Sequence, residues 1–181
     1  MITVFDLETT GLMQAEGNEL STQPHIIEIY AAQFDGDELV YEVETLVKPP
    51  LAIPAIITKI TGLNDFAVKD APAFSEVYRS IVDVFFGSHT VVAHNLPFDE
   101  GVLITELKRL GKEYCFPYPP MKFCTVEQSM HLKGHRLKND ELYQLATGKN
   151  IVDAHRAKND VLATYESYKW LAKQGCLEMS T

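Results

Sequence analysis

The run Ile2-Thr3-Val4-Phe5-Asp6-Leu7-Glu8-Thr9-Thr10-Gly11 constrains this chain more than any other stretch. Val4, Phe5 and Leu7 are strand formers, whereas Asp and Glu are residues that strands avoid. Side chains alternate across a strand, so Asp6 and Glu8 share one face. Two carboxylates at that separation repel by roughly 1 kcal/mol in water and about 4 at an effective dielectric near 20. A cation is the direct compensation, and a solvated edge strand with two surface acids is the alternative. More acids arriving from elsewhere in the chain would favour the cation.

A chain of 181 residues can bury the core of one domain, and a single domain over residues 1–181 is expected. The first strand begins at residue 2, which leaves no room for a signal sequence, and no apolar run reaches the length of a membrane span. Cytoplasmic residence without a membrane partner is expected. Cys115, Cys124 and Cys176 lack the spacing of a zinc site or a disulfide framework and read as reduced thiols, mostly packing residues. The net charge of -9 is the wrong sign for a protein that holds nucleic acid by counterion release. Nucleic acid is then either not the partner or is gripped locally, through metal ions and a small basic rim.

Met13 to His25 is a polar loop leaving the acidic strand. Ile26 to Phe34 reads as a second strand, Asp35-Gly36-Asp37 as a turn, and Leu39 to Val47 as a third strand ending at Pro49-Pro50, the two pairing antiparallel beside the first. Ile56 to Ile60 predicts a short helix stopped by Gly62. Phe74, Val77, Ile81, Val84 and Phe85 recur at helical spacing between Pro72 and Phe86, with Gly87 ending the run.

Thr90 to Ala93 suits a buried strand. Asn95 can cap the helix that follows, with Pro97 in its first turn, Val102, Leu103, Leu107 and Leu110 inward, and Gly111 at its end. Lys122 to Thr125 predicts a last strand and Val126 to Leu132 a helix. The basic turn Lys133 to Lys138 either touches phosphates or is simply solvated. A short helix carries Leu142 and Leu145, and a final helix from about His155 to Gln174 buries Val161, Leu162, Tyr165 and Leu171. Antiparallel strands first, then strands alternating with helices, give an α/β fold with a mixed sheet flanked by helices.

Two more sites carry acids. Asp99 lies in the first turn of its helix, where the helix dipole alone would favour an anion. His155 and Asp160 are five apart, about 140° on a regular helix, and converge only if the helix begins near the histidine; Asp153 is a candidate N-cap for such a start.

Asp-x-Glu-Thr-Thr-Gly at 6 to 11, His-Asn-x-x-Phe-Asp at 94 to 99 and His-x4-Asp at 155 to 160 together resemble the three motifs of the DEDDh, or DnaQ-like, exonuclease family. The resemblance is ordered and spans nearly the whole chain. It implies an RNase H-like fold, with three antiparallel strands then parallel ones, and a 3′ to 5′ exonuclease releasing mononucleotides with two divalent cations, Mg²⁺ or Mn²⁺. By resemblance Asp6 touches both cations, Glu8 and Asp160 are further ligands of the first, Asp99 is a water-mediated partner of the second, and His155 is the general base. Carboxylate oxygens suit such cations, and an imidazole suits proton transfer near neutral pH.

The resemblance also implies substrate contacts from Thr9, Thr10, Gly11 and Leu12, through backbone amides and a side chain near the terminal nucleotide. Leu12 reads equally as a core leucine. Phe98 either stacks on a base or packs, and His94 and Asn95 fix the strand-to-helix turn. His25, His89, His131 and His135 lack carboxylate neighbours at ligand spacing and read as surface or packing residues. Nucleic-acid 3′ ends are the implied partner, single-stranded DNA ahead of RNA, with a homodimer and association with a DNA polymerase both open. Lys158 and Asn159 are more polar than the family pattern before its last acid.

Overall fold

The computed structural model describes residues 1–15, 19–152 and 156–175. Strand β1 (Ile2–Thr9) pairs antiparallel with β2 (Ile26–Asp35), which pairs antiparallel with β3 (Glu38–Leu46). On its other side β1 pairs parallel with β4 (Thr90–Ala93), and β4 with β5 (Met121–Cys124), giving the order β3-β2-β1-β4-β5. The helices are α1 (Ala55–Thr61), α2 (Phe74–Phe85), α3 (Leu96–Arg109), α4 (Thr125–Lys133), α5 (Asn139–Thr147) and α6 (Ala157–Lys173). The expected mixed α/β sheet, antiparallel first and then parallel, is the fold found. No helix among the described residues is long and apolar enough to cross a membrane.

The two-residue period of β1 divides the core. Phe5 and Leu7 pack with Ile81, Phe85, Leu103 and Leu107 from α2 and α3 on one face. Val4 packs with Phe123, Leu142, Val161 and Tyr165 on the other, beneath α5 and α6. Asp6 and Glu8 follow Val4 in register and point to the α6 side. Strand β2 is buried on both faces and reads as a nearly continuous apolar run, whereas β3 is an exposed edge carrying Glu38, Glu42 and Glu44, charges that discourage pairing with another chain.

Strand lengths open the crevice. Strand β4 stops at Ala93 and pairs with β1 only over Ile2–Val4, so the acidic half of β1 runs on past its parallel neighbour. The carboxyl ends of parallel strands are where such sheets leave room for ligands. A register shift between Glu8 and Thr9 against β2 bends the same strand end. Truncating the core beneath it should be felt throughout: Leu103→Ala, at a site with no exposure, is expected to lower unfolding free energy by about 2–5 kcal/mol in urea titrations. A loss under about 1 kcal/mol would show that α3 is not packed as described.

Several expectations need correction. Leu162 is 41% exposed, because one step along a helix turns a side chain by about 100° away from the inward Val161. Helix α6 starts at Ala157 with Arg156 in the N-cap position, while Asp153, the expected cap, lies outside the described residues, as do His155 and Cys176. Cys115 is exposed and only Cys124, of the two described cysteines, packs in the core. Asn95 precedes α3 but makes no side-chain cap, since it adopts φ 66° and ψ 46°, and capping geometry requires extended backbone. Asn is among the few residues that tolerate this left-handed conformation, which turns the chain from β4 directly into α3.

Candidate active site

Asp6 and Glu8 come from β1, Asp99 from the first turn of α3 and Asp160 from the first turn of α6. One oxygen from each of Asp6, Glu8 and Asp160 lies within 4.8 Å of the other two, a set that can hold a metal ion. Asp99 is 3% exposed, and its Oδ1 accepts the backbone N–H of Leu7 at 3.2 Å, between the two acids of β1. All four line one cleft of about 590 Å³ together with His94, Asn95, Phe98, Arg136, Lys138 and Asn139. Asp160 converges on β1 because α6 begins only three residues before it.

Crowding shows in the electrostatics. Burial, and then the charges of Asp99, Asp160, Glu8 and Glu28, hold the Asp6 carboxyl well above the usual range. Burial, with Asp160 and Glu28, pushes Glu8 from its ordinary 4.5 up to about 8, against the opposing pull of Arg156. Burial likewise raises Asp99, partly offset by the hydrogen bond from Leu7. Hard divalent cations are the chemical match to such an all-oxygen, acid-rich set.

The metal-free protein should therefore be least stable at high pH. Carboxyls whose folded values stand above the unfolded ones bind protons more tightly when folded, so their stabilisation is complete below the unfolded value and is lost as pH rises through the folded one. For Glu8 that window runs from about 4.5 to about 8. The melting temperature with chelator present is expected to fall across this window and to recover at pH 8 on adding Mn²⁺. A flat profile would mean the acids do not interact as described.

Glu28 is a participant that sequence reasoning missed. It lies opposite Glu8 across the β1–β2 ladder and is 3% exposed. Its Oε1 accepts from Arg156 Nη2 at 2.7 Å, and its Oε2 accepts the backbone N–H of Ala157 at 3.3 Å. A strand carboxylate thus satisfies one of the orphan amides at the start of α6 and sits at the positive end of its dipole. Asn139 completes the anchor, donating to the Asp160 carbonyl at 3.1 Å and to its Oδ1 at 3.4 Å. The only signal in the sequence was an acid amid the apolar run of β2. Glu28→Ala is expected to weaken Mn²⁺ binding by about 10–100-fold, the usual cost of removing a residue that orients a ligand, read by calorimetric titration. Unchanged affinity would reduce Glu28 to a structural acid.

His94 lines the cleft with Nδ1 2.9 Å from Thr125 Oγ1 and a second hydrogen bond to the Leu137 backbone. Burial pushes its pKa down to about 4, so it stays neutral and is a weak base. Phe98 packs partly against the main core and also lines the cleft. Thr9, Thr10, Gly11 and Leu12 lie beyond the cleft lining. Thr9 Oγ1 donates to the Gly11 carbonyl at 2.7 Å, and the Thr10 N–H is occupied by the His25 carbonyl at 2.8 Å. Leu12 is 76% exposed, so it is not a core leucine.

His25 does have a carboxylate neighbour, Glu106, with Nδ1 to Oε1 at 2.9 Å. A contact 81 residues away in the chain leaves no local spacing to detect. Arg109 completes that hub, bonding Glu106 and the carbonyls of Leu20, Gln23 and Pro24, and so fastens the loop after β1 onto α3. Lys158 pairs with Glu44 at 2.9 Å and Glu42 at 3.5 Å on β3, which gives its charge a use away from the acids.

Comparison with known proteins follows the same lines. Residues 3–168 match the protein-family profile described as "Exonuclease". The "DNA polymerase III PolC-type" of Caldanaerobacter subterraneus subsp. tengcongensis is 35% identical over 167 residues, covering 91% of this chain but only 11% of that protein, so the chain spans about a tenth of such relatives. The DNA polymerase III subunit epsilon of Treponema pallidum is 32% identical over 168 residues, covering 92% of this chain and 74% of that one. Among solved structures, the nuclease domain of 3′hExo, a DEDDh family member bound to rAMP, superposes with a TM-score of 0.77 at 15% identity, covering 99% and 96% of the two chains. The fold is thus RNase H-like, and this chain belongs to the exonuclease family.

Proposed function

We propose that this protein is a metal-dependent 3′ to 5′ exonuclease that releases nucleoside monophosphates from the 3′ ends of single-stranded DNA. The observation that carries the reading is the meeting of Asp6, Glu8 and Asp160 within 4.8 Å, with Asp99 buried against the same strand. Two divalent cations, Mg²⁺ or Mn²⁺, would supply Lewis-acid stabilisation of the attacking and leaving oxygens of an in-line displacement. Asp6, Glu8 and Asp160 would hold one of them, and Asp6, with Asp99 through water, the other. Four carboxylates then stand opposite four positive charges. His155 takes the proton of the attacking water, a task that His94 is too weak a base to share.

His94, Asn95 and Phe98 flank the acids and receive the terminal nucleotide, Phe98 offering a face for base stacking. Thr9, Thr10, Gly11 and Leu12 shape the approach, through backbone amides and the exposed Leu12 side chain near the terminal nucleotide. The named relatives are DNA polymerase III proteins, which favours DNA and association with a polymerase, and a homodimer is compatible with the same chemistry. Residues 1–181 act as one cytoplasmic domain. A second reading, trimming of RNA 3′ ends, draws on the rAMP held by 3′hExo.

End-labelled DNA and RNA strands, with free or blocked 3′ termini and either metal, separate these readings. Stepwise shortening of DNA from a free 3′ end, stopped by chelator, is the expected result. Preference for RNA would transfer the assignment to the second reading, and no cleavage of either would end both.

A further inference from the structure

We propose that Arg136 is a phosphate-binding residue, held by Asn95, that grips the substrate strand at a backbone phosphate adjacent to the one being cut; the proposal rests on the nuclease reading. Arg136 lies on the wall of the cleft that carries all four acids. Its Nη2 donates to Asn95 Oδ1 at 2.5 Å, and it takes part in none of the ion pairs found among the described residues. A neutral amide orients a guanidinium without neutralising it. The charge is therefore left available in a cleft whose other charged walls, Lys138 apart, are carboxylates.

The loop carrying Arg136 is built rather than loose. Helix α4 ends at Gly134, whose φ of 73° reverses the chain. Leu137, next to Arg136, is only 6% exposed and packs beneath α5 and α6. The half-buried His94 bonds to the Leu137 backbone and ties the loop to the end of β4. Asn95, at the N-cap position of α3, makes no side-chain cap and takes the left-handed backbone that presents its amide to Arg136. Strain of this kind is held where surrounding structure imposes it, and it gathers at functional sites.

Cations bound by the four acids would neutralise the phosphate being cut, so that phosphate has no need of Arg136. The next phosphate along the strand meets no carboxylate-held cation, and a guanidinium matches its geometry with two parallel hydrogen bonds. A protein with net charge -9 can then bind a polyanion through very few contacts.

Two substrates isolate the effect: a single-stranded oligodeoxynucleotide, and the p-nitrophenyl ester of thymidine 5′-monophosphate, which carries only the phosphate being cut. Arg136→Ala is expected to lower kcat/KM on the oligonucleotide by about tenfold to a hundredfold, chiefly through KM, with the ester within about twofold of wild type. The slope of log kcat/KM against log salt should become shallower by about 0.7, one phosphate contact on a single strand. Arg136→Lys should keep the slope while recovering only part of the rate. Asn95→Gly, which keeps the left-handed backbone without the amide, should reproduce part of the KM effect. An unchanged salt slope, or equal losses on both substrates, overturns the proposal while the nuclease reading stands. A wild-type protein inert on both substrates overturns the two together.

Discussion

Replacing Asp6 with Asn is expected to abolish turnover and, with chelator present, to raise the melting temperature at pH 8. Asp6 is the acid on which the others press: burial comes first, followed by Asp99, Asp160, Glu8 and Glu28. Each neighbouring charge removed from interaction is worth about 1–4 kcal/mol, depending on the effective dielectric, and about 1 kcal/mol already moves the melting point of a chain this size by about 2–4 °C. Activity should respond in the opposite direction. Charge stabilisation by a bound cation is several kcal/mol of transition-state energy, so its loss lowers the rate on the order of a thousandfold or more. Added Mn²⁺ should then stabilise wild type and not the variant, reversing their order, because only a ligand that binds the folded state raises its stability. A variant that keeps turnover, or that melts no higher without metal, would contradict the charge balance inferred for this cleft.

His155→Ala is the second large effect, expected to lower kcat by about a hundredfold to ten-thousandfold, the usual contribution of a positioned general base. Mn²⁺ affinity should stay near wild type, since the acids that would hold the ions are untouched. The acidic limb of the pH–rate profile, set by protonation of the imidazole, should disappear in the variant. His94→Ala provides the contrast: with its ring tied to Thr125 and Leu137 and its pKa near 4, it should change KM more than the pH profile. If wild-type activity is flat from about pH 6 to 9, a range that spans a histidine's ordinary titration, His155 is not the base.

The alternation Phe5-Asp6-Leu7-Glu8 was enough to place two acids on one face, and the glycines after α1, α4 and α5 stop those helices where their left-handed backbone was needed. Asn95 was misread because its residue type suits two incompatible tasks, capping with extended backbone or turning with positive φ. Leu162 was misread because a one-residue error in phase moves a helical side chain by about 100°. Glu28 showed only as an acid in an apolar strand, and Glu106 and Arg109 gave no sign, since the contacts that give these residues their roles reach 80 or more residues along the chain.

Local chemistry in the chain determined the strands, the helix stops and the acids at 6, 8, 99 and 160, because periodicity and backbone preference act over a few residues. Only the tertiary structure decided that β4 would end short of β1, that Glu28 would seize the start of α6, and that Arg136 would face the carboxylates with its charge unspent. Those outcomes depend on which distant segments share a dielectric and a few ångströms of space, and energies that fall off with distance in three dimensions leave no period along the sequence.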